Sequence, residues 1–114
     1  MYQDTVLFEK RVKESTNMIE KFSDRIPIIV QKKQETDPEI DKRKFMVPRD
    51  LTYGQFTYVV RRRLNIDDKK ALFTFCEGSI PLHHDSICTV YDKHKNADGF
   101  LYVNYTFENT FGCE

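Results

Sequence analysis

The chain has 114 residues, 39% hydrophobic and 13% aromatic, which is enough apolar side chain for one packed core and argues against disorder. Its 18 basic and 18 acidic side chains balance, so net charge gives no argument for a nucleic-acid partner. No apolar run reaches the ~18 residues of a membrane span and no signal peptide opens the chain, while Cys76, Cys88 and Cys113 lack paired spacing. That usage points to free thiols in a reducing, cytoplasmic setting.

Residues 8–22 place Phe8, Val12, Ser15, Met18, Ile19 and Phe22 at helical spacing, with lysines and glutamates on the other side. Met1 to Leu7 extends the same pattern by about one turn. Ser23-Asp24-Arg25 breaks the helix, and 26–33, "IPIIVQKK", reads as a strand from its β-branched content. Pro27 has no amide hydrogen, so it belongs on an edge or at a strand start. A polar loop over 34–41 leads to a second strand, "KRKFMVP", over 42–48. Asp50 or Thr52 caps a helix over 52–66, in which Phe56, Val59, Val60 and Leu64 form one buried stripe. Arg61, Arg62 and Arg63 fan across its outer surface and cannot all reach one partner. A third strand over 71–78, a short helix over 86–95, a turn over 96–99 and a fourth strand over 100–107 complete the chain. The order describes a small α+β sheet packed on one helix.

Chemistry-bearing residues are sparse. Basic clusters at Lys10-Arg11-Lys13, Lys32-Lys33, Lys42-Arg43-Lys44 and Arg61-Arg62-Arg63, with acids between Glu35 and Asp41, read as solvated faces or as one partner-facing patch. Cys76, His83, His84 and Cys88 lack the tight paired spacing of a zinc site, and His94 adds no partner. A Cys-His nucleophile has no support beyond the presence of both residue types. Four glycines form neither a P-loop nor a dinucleotide fingerprint. The sequence offers no catalyst, metal site or cofactor site.

Two stretches raise questions that pattern alone leaves open. In the second strand Phe45 and Val47 point one way while Lys44 and Met46 point the other, so both faces carry apolar groups. Either both are buried, or one lies open beside a free strand edge of the kind that extended peptides join. At the C-terminus, "TFGCE" is either a loose end or a glycine presented to a narrow cleft. Cys113 is followed by one residue, which excludes a C-terminal prenylation box.

With these elements placed, the chain resembles the autophagy-related protein 8 family of ubiquitin-like modifiers, to which GABARAP and light chain 3 belong. The resemblance runs from Phe8 to Gly112 through "FEKRVKES", "DRIPIIV", "DKRKFMVPRDLTYGQF", "RRRL", "ALFTF", "DGFLYVNY" and "ENTFG". It implies a ubiquitin-like β-grasp: a four-stranded mixed sheet packed on a central helix, with an N-terminal helical extension. The extension would occupy 1–25, the β-grasp domain 26–108 and a C-terminal tail 109–114.

The resemblance also implies a function. A processing cysteine protease would cut between Gly112, which follows Phe111, and Cys113. Ubiquitin-like activating and conjugating enzymes would then join Gly112 to phosphatidylethanolamine, moving the protein from the cytoplasm to the autophagosome membrane. Cargo receptors would dock through an aromatic residue followed three positions later by an aliphatic one. The aromatic pocket would involve Glu14, Met18, Pro27, Ile29, Lys44, Met46 and Phe100. The aliphatic pocket would involve Phe45, Val47, Pro48, Leu51, Phe56 and Val59. Arg25, Lys42, Arg43 and Arg63 would meet acidic residues around the motif. Departures are Phe22-Ser23 where the family has Tyr-Pro, and Met18 where it has isoleucine, a softer wall for the aromatic pocket. The rival readings are a ubiquitin-like adaptor that is never conjugated and a small thiol or metal enzyme.

Overall fold

Two runs of β-branched and aromatic residues set the centre of the molecule. In the computed structural model, which describes residues 1–65 and 70–107, they form β1 (Arg25–Lys32) and β4 (Leu101–Thr106), paired in parallel. Both strands are covered on two faces, so apolar residues run almost continuously instead of alternating. β2 (Lys44–Pro48) pairs antiparallel with β1, and β3 (Phe73–Phe75) pairs antiparallel with β4, in the order β2-β1-β4-β3. Pro27 therefore sits in a central strand, but the ladder to β4 begins only at Ile28, so no sheet bond is lost.

One face of the sheet packs on α3 (Tyr53–Leu64) and α4 (Ile87–His94), where Ile26, Ile28, Val30, Leu101 and Val103 join Phe56, Val60, Ile87 and Val90 in the main core. Thr52, not Asp50, starts α3: its hydroxyl accepts from Gln55 N–H at 3.1 Å while the Gln55 side chain accepts from Thr52 N–H at 3.0 Å. The buried stripe runs through Tyr53, Phe56, Val60 and Leu64, whereas Val59 is 41% exposed on the flank, contrary to expectation. The arginines diverge as the helical spacing requires. Arg61 reaches the Lys70 carbonyl, Arg62 lies over the Tyr58 ring and Arg63 pairs with Asp41 at 3.2 Å.

The other face is covered by α1 (Tyr2–Thr5) and α2 (Phe8–Lys21), with Tyr2, Ile29, Phe100 and Tyr102 in a second, smaller cluster flanked by Val6 and Met18. Here the expected stripe is corrected at its two phenylalanines and at Arg11, while Ser15 is buried as expected and Val12, Met18 and Ile19 are half-buried. Phe8 and Phe22 are 48% and 42% exposed, and the buried residues of α2 are Arg11 and Ser15. The reason is that α2 rests on the turn before β4. Arg11 Nη1 bonds Asp98 Oδ2 at 2.6 Å, and Ser15 donates to the Asp98 carbonyl. Gly99, at φ 94°, lies so close that a Cβ there would fall 3.1 Å from Ser15 Cβ and nearer still to its hydroxyl. A close crossing of this kind needs small residues and a paired charge more than it needs phenylalanine.

The third strand is shorter than the expected 71–78: its pairing starts at Phe73, opposite Thr106 at the end of β4, and stops where Cys76 and Ser79 exchange backbone bonds at 2.8 and 3.0 Å across a tight reversal. Glu77 and Gly78 both take positive φ in that turn.

Candidate functional site

β2 is an edge strand, and its pairing decides what it offers. Lys44 faces Ile29, Phe45 faces Ile28, Met46 faces Pro27 and Val47 faces Ile26. Val30 N–H donates to the Arg43 carbonyl at 2.8 Å. By antiparallel alternation, the backbone groups of residues 43, 45 and 47 then turn toward β1, while those of Lys44 and Met46 turn outward. Among the described residues no strand pairs with that outer side. Arg25 Nη1 donates to the outward Met46 carbonyl at 3.2 Å, so a charged side chain guards the edge.

The residues expected to form two pockets fall on opposite sides of this strand. On the core side, Phe45 meets Phe56 edge-on at 5.6 Å, and both are buried with Val47, forming a floor. Leu51 is half-buried, and Pro48 and Val59 are exposed at the rim. On the other side Ile29, Phe100 and Pro27 are buried, while Glu14, Met18, Lys44 and Met46 remain partly accessible. Double-sided packing and an open edge thus coexist: both faces of β2 are flanked by other elements, and its lateral edge is free.

An ion pair between Lys44 and Glu14 bridges β2 and α2 beside the aromatic set. The Tyr2 hydroxyl also donates to Glu14, and its ring lies 5.2 Å from Lys44 Nζ, 5.6 Å from the Arg43 guanidinium and 6.2 Å from the Phe100 ring. Burial works against the charge on Glu14, but the hydrogen bonds from Lys44 and Tyr2 outweigh it and hold the carboxyl below its usual range. Burial likewise works against charged Lys44, and the bonds to Glu14 and Tyr2 raise its pKa nonetheless. Sequence reasoning missed Tyr2 as a member of this cluster; its one signal was an aromatic in a segment too short for periodicity.

The four expected docking cations lie around the edge with different occupations. Arg25 is on Met46, Lys42 Nζ is 5.0 Å from the Phe45 ring, Arg43 is over Tyr2 and Arg63 is tied to Asp41. The thiols and histidines are scattered. Cys76 is buried in the core, its thiol pushed up to about 12 by burial. Cys88 lies on α4 with Arg49 Nη2 2.8 Å from its sulfur, and His83 and His84 are exposed. Among the described residues no three His, Cys, Asp or Glu side chains group as a metal site. Phe111, Gly112 and Cys113 lie outside the described residues.

A mixed sheet in this order, with α3 and the short α4 on its inner face, defines a ubiquitin-like α+β protein, here carrying two further helices on the sheet's other face. The chain belongs to the Atg8 family: the model described as "Autophagy protein Atg8 ubiquitin like" matches residues 10–112. Among relatives, Autophagy-related protein 8 of Vanderwaltozyma polyspora is 52% identical over 106 residues, covering 92% of this chain and 90% of its own. Autophagy-related protein 8A of Oryza sativa subsp. japonica is 50% identical over 105 residues, with 91% and 88% covered. Two solved structures share the fold. Trypanosoma brucei ATG8 superposes with a TM-score of 0.87 at 38% identity over 97% of both chains. Plasmodium falciparum Atg8 in complex with a P. falciparum Atg3 peptide gives 0.87 at 26% identity, covering 96% of this chain and 97% of its own. The chain is thus an autophagy ubiquitin-like protein. No helix among the described residues is long and apolar enough to cross a membrane.

Proposed function

We propose that the chain is a conjugated modifier and docking module, a substrate of enzymes and not a catalyst. A processing cysteine protease removes Cys113-Glu114, and activating and conjugating enzymes join Gly112 to phosphatidylethanolamine. Two acyl chains bury apolar surface at about 0.8 kcal/mol per CH₂, which carries a cytoplasmic domain onto the autophagosomal membrane and keeps it there.

The observation that carries the docking half is the outward Lys44 and Met46 backbone, flanked by one apolar set on each side of β2. An extended segment adds as a new strand, and an N–H of that segment takes the Met46 carbonyl from Arg25, freeing the guanidinium for an acidic residue. An aromatic side chain enters over Ile29 and Phe100 beside the Lys44 stem, and an aliphatic one enters between Leu51, Pro48 and Val59 over the Phe45-Phe56 floor. The Plasmodium relative bound to an Atg3 peptide supports a peptide-accepting fold, with the conjugating enzyme among the partners besides cargo receptors.

Titrating the isotope-labelled chain with a synthetic Trp-x-x-Leu peptide tests the groove. Shift changes concentrated in residues 27–59 and at Phe100 are expected, and changes only elsewhere would end the assignment. Intact mass after incubation with the processing protease tests the tail: the loss of two residues is expected, and Gly112→Ala blocks it. An unchanged wild-type mass would remove conjugation while leaving the groove standing.

A further inference from the structure

Tyr2 is only 5% exposed, although α1 is four residues long. It is tied at both ends. Its N–H donates to Oε1 of Gln31, a buried residue of β1, at 3.0 Å, and its hydroxyl donates to Glu14 Oε1 on α2. Between these ties the ring meets Phe100 edge-on at 6.2 Å and lies 5.2 Å from Lys44 Nζ. Lys44 Nζ pairs with the second oxygen of the same carboxylate, Glu14 Oε2. In the β1-β2 ladder Lys44 faces Ile29, so its stem rises on the face that carries Ile29 and Phe100. The Lys44 and Glu14 side chains are 41% and 28% exposed, and solvent screening leaves such a pair weak by itself. The Tyr2 ring is buried and fixed from two elements, so it supplies the rigid half of the contact.

We infer that Tyr2 is a positioning residue for the aromatic side of the groove, its ring holding Lys44 so that an incoming aromatic side chain meets a wall already in place. The inference rests on the docking proposed above. A lysine on an edge strand ordinarily samples many rotamers, and a ligand that packs along its stem must halt that motion. Here the ammonium is held within the chain, between the Glu14 carboxylate and the face of the Tyr2 ring. Without the ring, the screened ion pair alone must keep Lys44 in place, and each docking event must order the side chain again. The loss then belongs to the aromatic side of β2 and leaves the Phe45-Phe56 floor on the other side untouched.

Calorimetric titration with the Trp-x-x-Leu peptide compares the full-length wild type, Tyr2→Ala and Tyr2→Phe, with Tyr2→Ala repeated in Lys44→Ala and Val59→Ala backgrounds. Tyr2→Ala is expected to raise Kd about fivefold or more. Tyr2→Phe keeps the ring against Lys44 and Phe100 and stays within about twofold of wild type. In Lys44→Ala, where no ammonium is left to hold, Tyr2→Ala adds less than about twofold, whereas in Val59→Ala its full factor remains. Without peptide, the Lys44 side-chain methylene protons should show a ring-current shift in wild type and Tyr2→Phe that disappears in Tyr2→Ala. Wild-type affinity in Tyr2→Ala would overturn the inference, as would a Tyr2→Phe variant as weak as Tyr2→Ala. A loss that persists undiminished in Lys44→Ala would also overturn it, marking the packing of α1 and not the placement of Lys44. A wild-type chain that does not bind the peptide would overturn the docking reading and the part of Tyr2 in it. The Lys44 methylene shifts, measured without peptide, separate that failure from failure of the contact itself.

Discussion

Arg11 and Asp98, 87 positions apart in the chain, form a buried ion pair at 2.6 Å that seats α2 on the turn leading into β4. Asp98 also takes the Phe100 amide at 2.9 Å and the Tyr102 hydroxyl, so one carboxylate orders the segment that carries Phe100 toward the aromatic set. The proposed groove depends on this joint, because Glu14 and Met18 lie on the same helix as Arg11.

Asp98→Ala leaves Arg11 buried without its partner and frees two further donors. A loss of about 3–5 kcal/mol in urea unfolding is expected. Arg11→Met should cost less, since Asp98 retains Tyr102 and Phe100. A change in Asp98→Ala no larger than that of a surface substitution would contradict the joint.

Gly99→Ala places a methyl group against Ser15 on a backbone at φ 94°. Strain and contact together should cost about 1–3 kcal/mol. Ser15→Gly removes the contact but not the strain, so the double variant should recover part of the loss, with a coupling of about 0.5 kcal/mol or more. Strict additivity would mean that the two residues do not meet.

Met46→Ala removes a half-exposed side chain from the aromatic side of β2 while Phe45 and Val47 continue to anchor the strand. Peptide binding measured by calorimetry should weaken by about 1–2 kcal/mol with the melting temperature nearly unchanged. Val59→Ala should weaken the same peptide through the aliphatic side, and no effect of either variant would count against the groove.

The Glu14 carboxyl is held below its usual range, with burial opposing and the bonds from Lys44 and Tyr2 prevailing. A depressed native pKa adds stability above the unfolded value of about 4.3 and loses it as pH falls through the native value. Lys44 is 41% exposed, so solvent screening limits the pair to about 1 kcal/mol or less. Below about pH 5 the melting temperature of wild type should fall more steeply than that of Glu14→Gln. Equal slopes would show that the pair adds nothing.

Much of the site was legible locally. The "KFMVP" alternation already separated Phe45 and Val47 from Lys44 and Met46, and the β1-β2 register keeps those sets apart. The α3 stripe was read correctly at Phe56, Val60 and Leu64 but not at Val59, because spacing gives an angle and not the width of what covers the helix. On α2 the reading favoured Phe8 and Phe22 over Arg11, since hydrophobicity ranks residues without knowing whether a carboxylate waits opposite.

The amino-acid pattern by itself determined the element types, the two-sided character of β2 and the family resemblance, because side-chain period and turn chemistry are local properties. The tertiary structure alone decided which strands became edges, that Arg25 caps Met46, that Tyr2 joins Glu14 and Lys44, and that Asp37 grips the end of β4. Those are meetings between residues distant in the chain. Their partners are chosen by how the layers pack, and no local spacing encodes that choice.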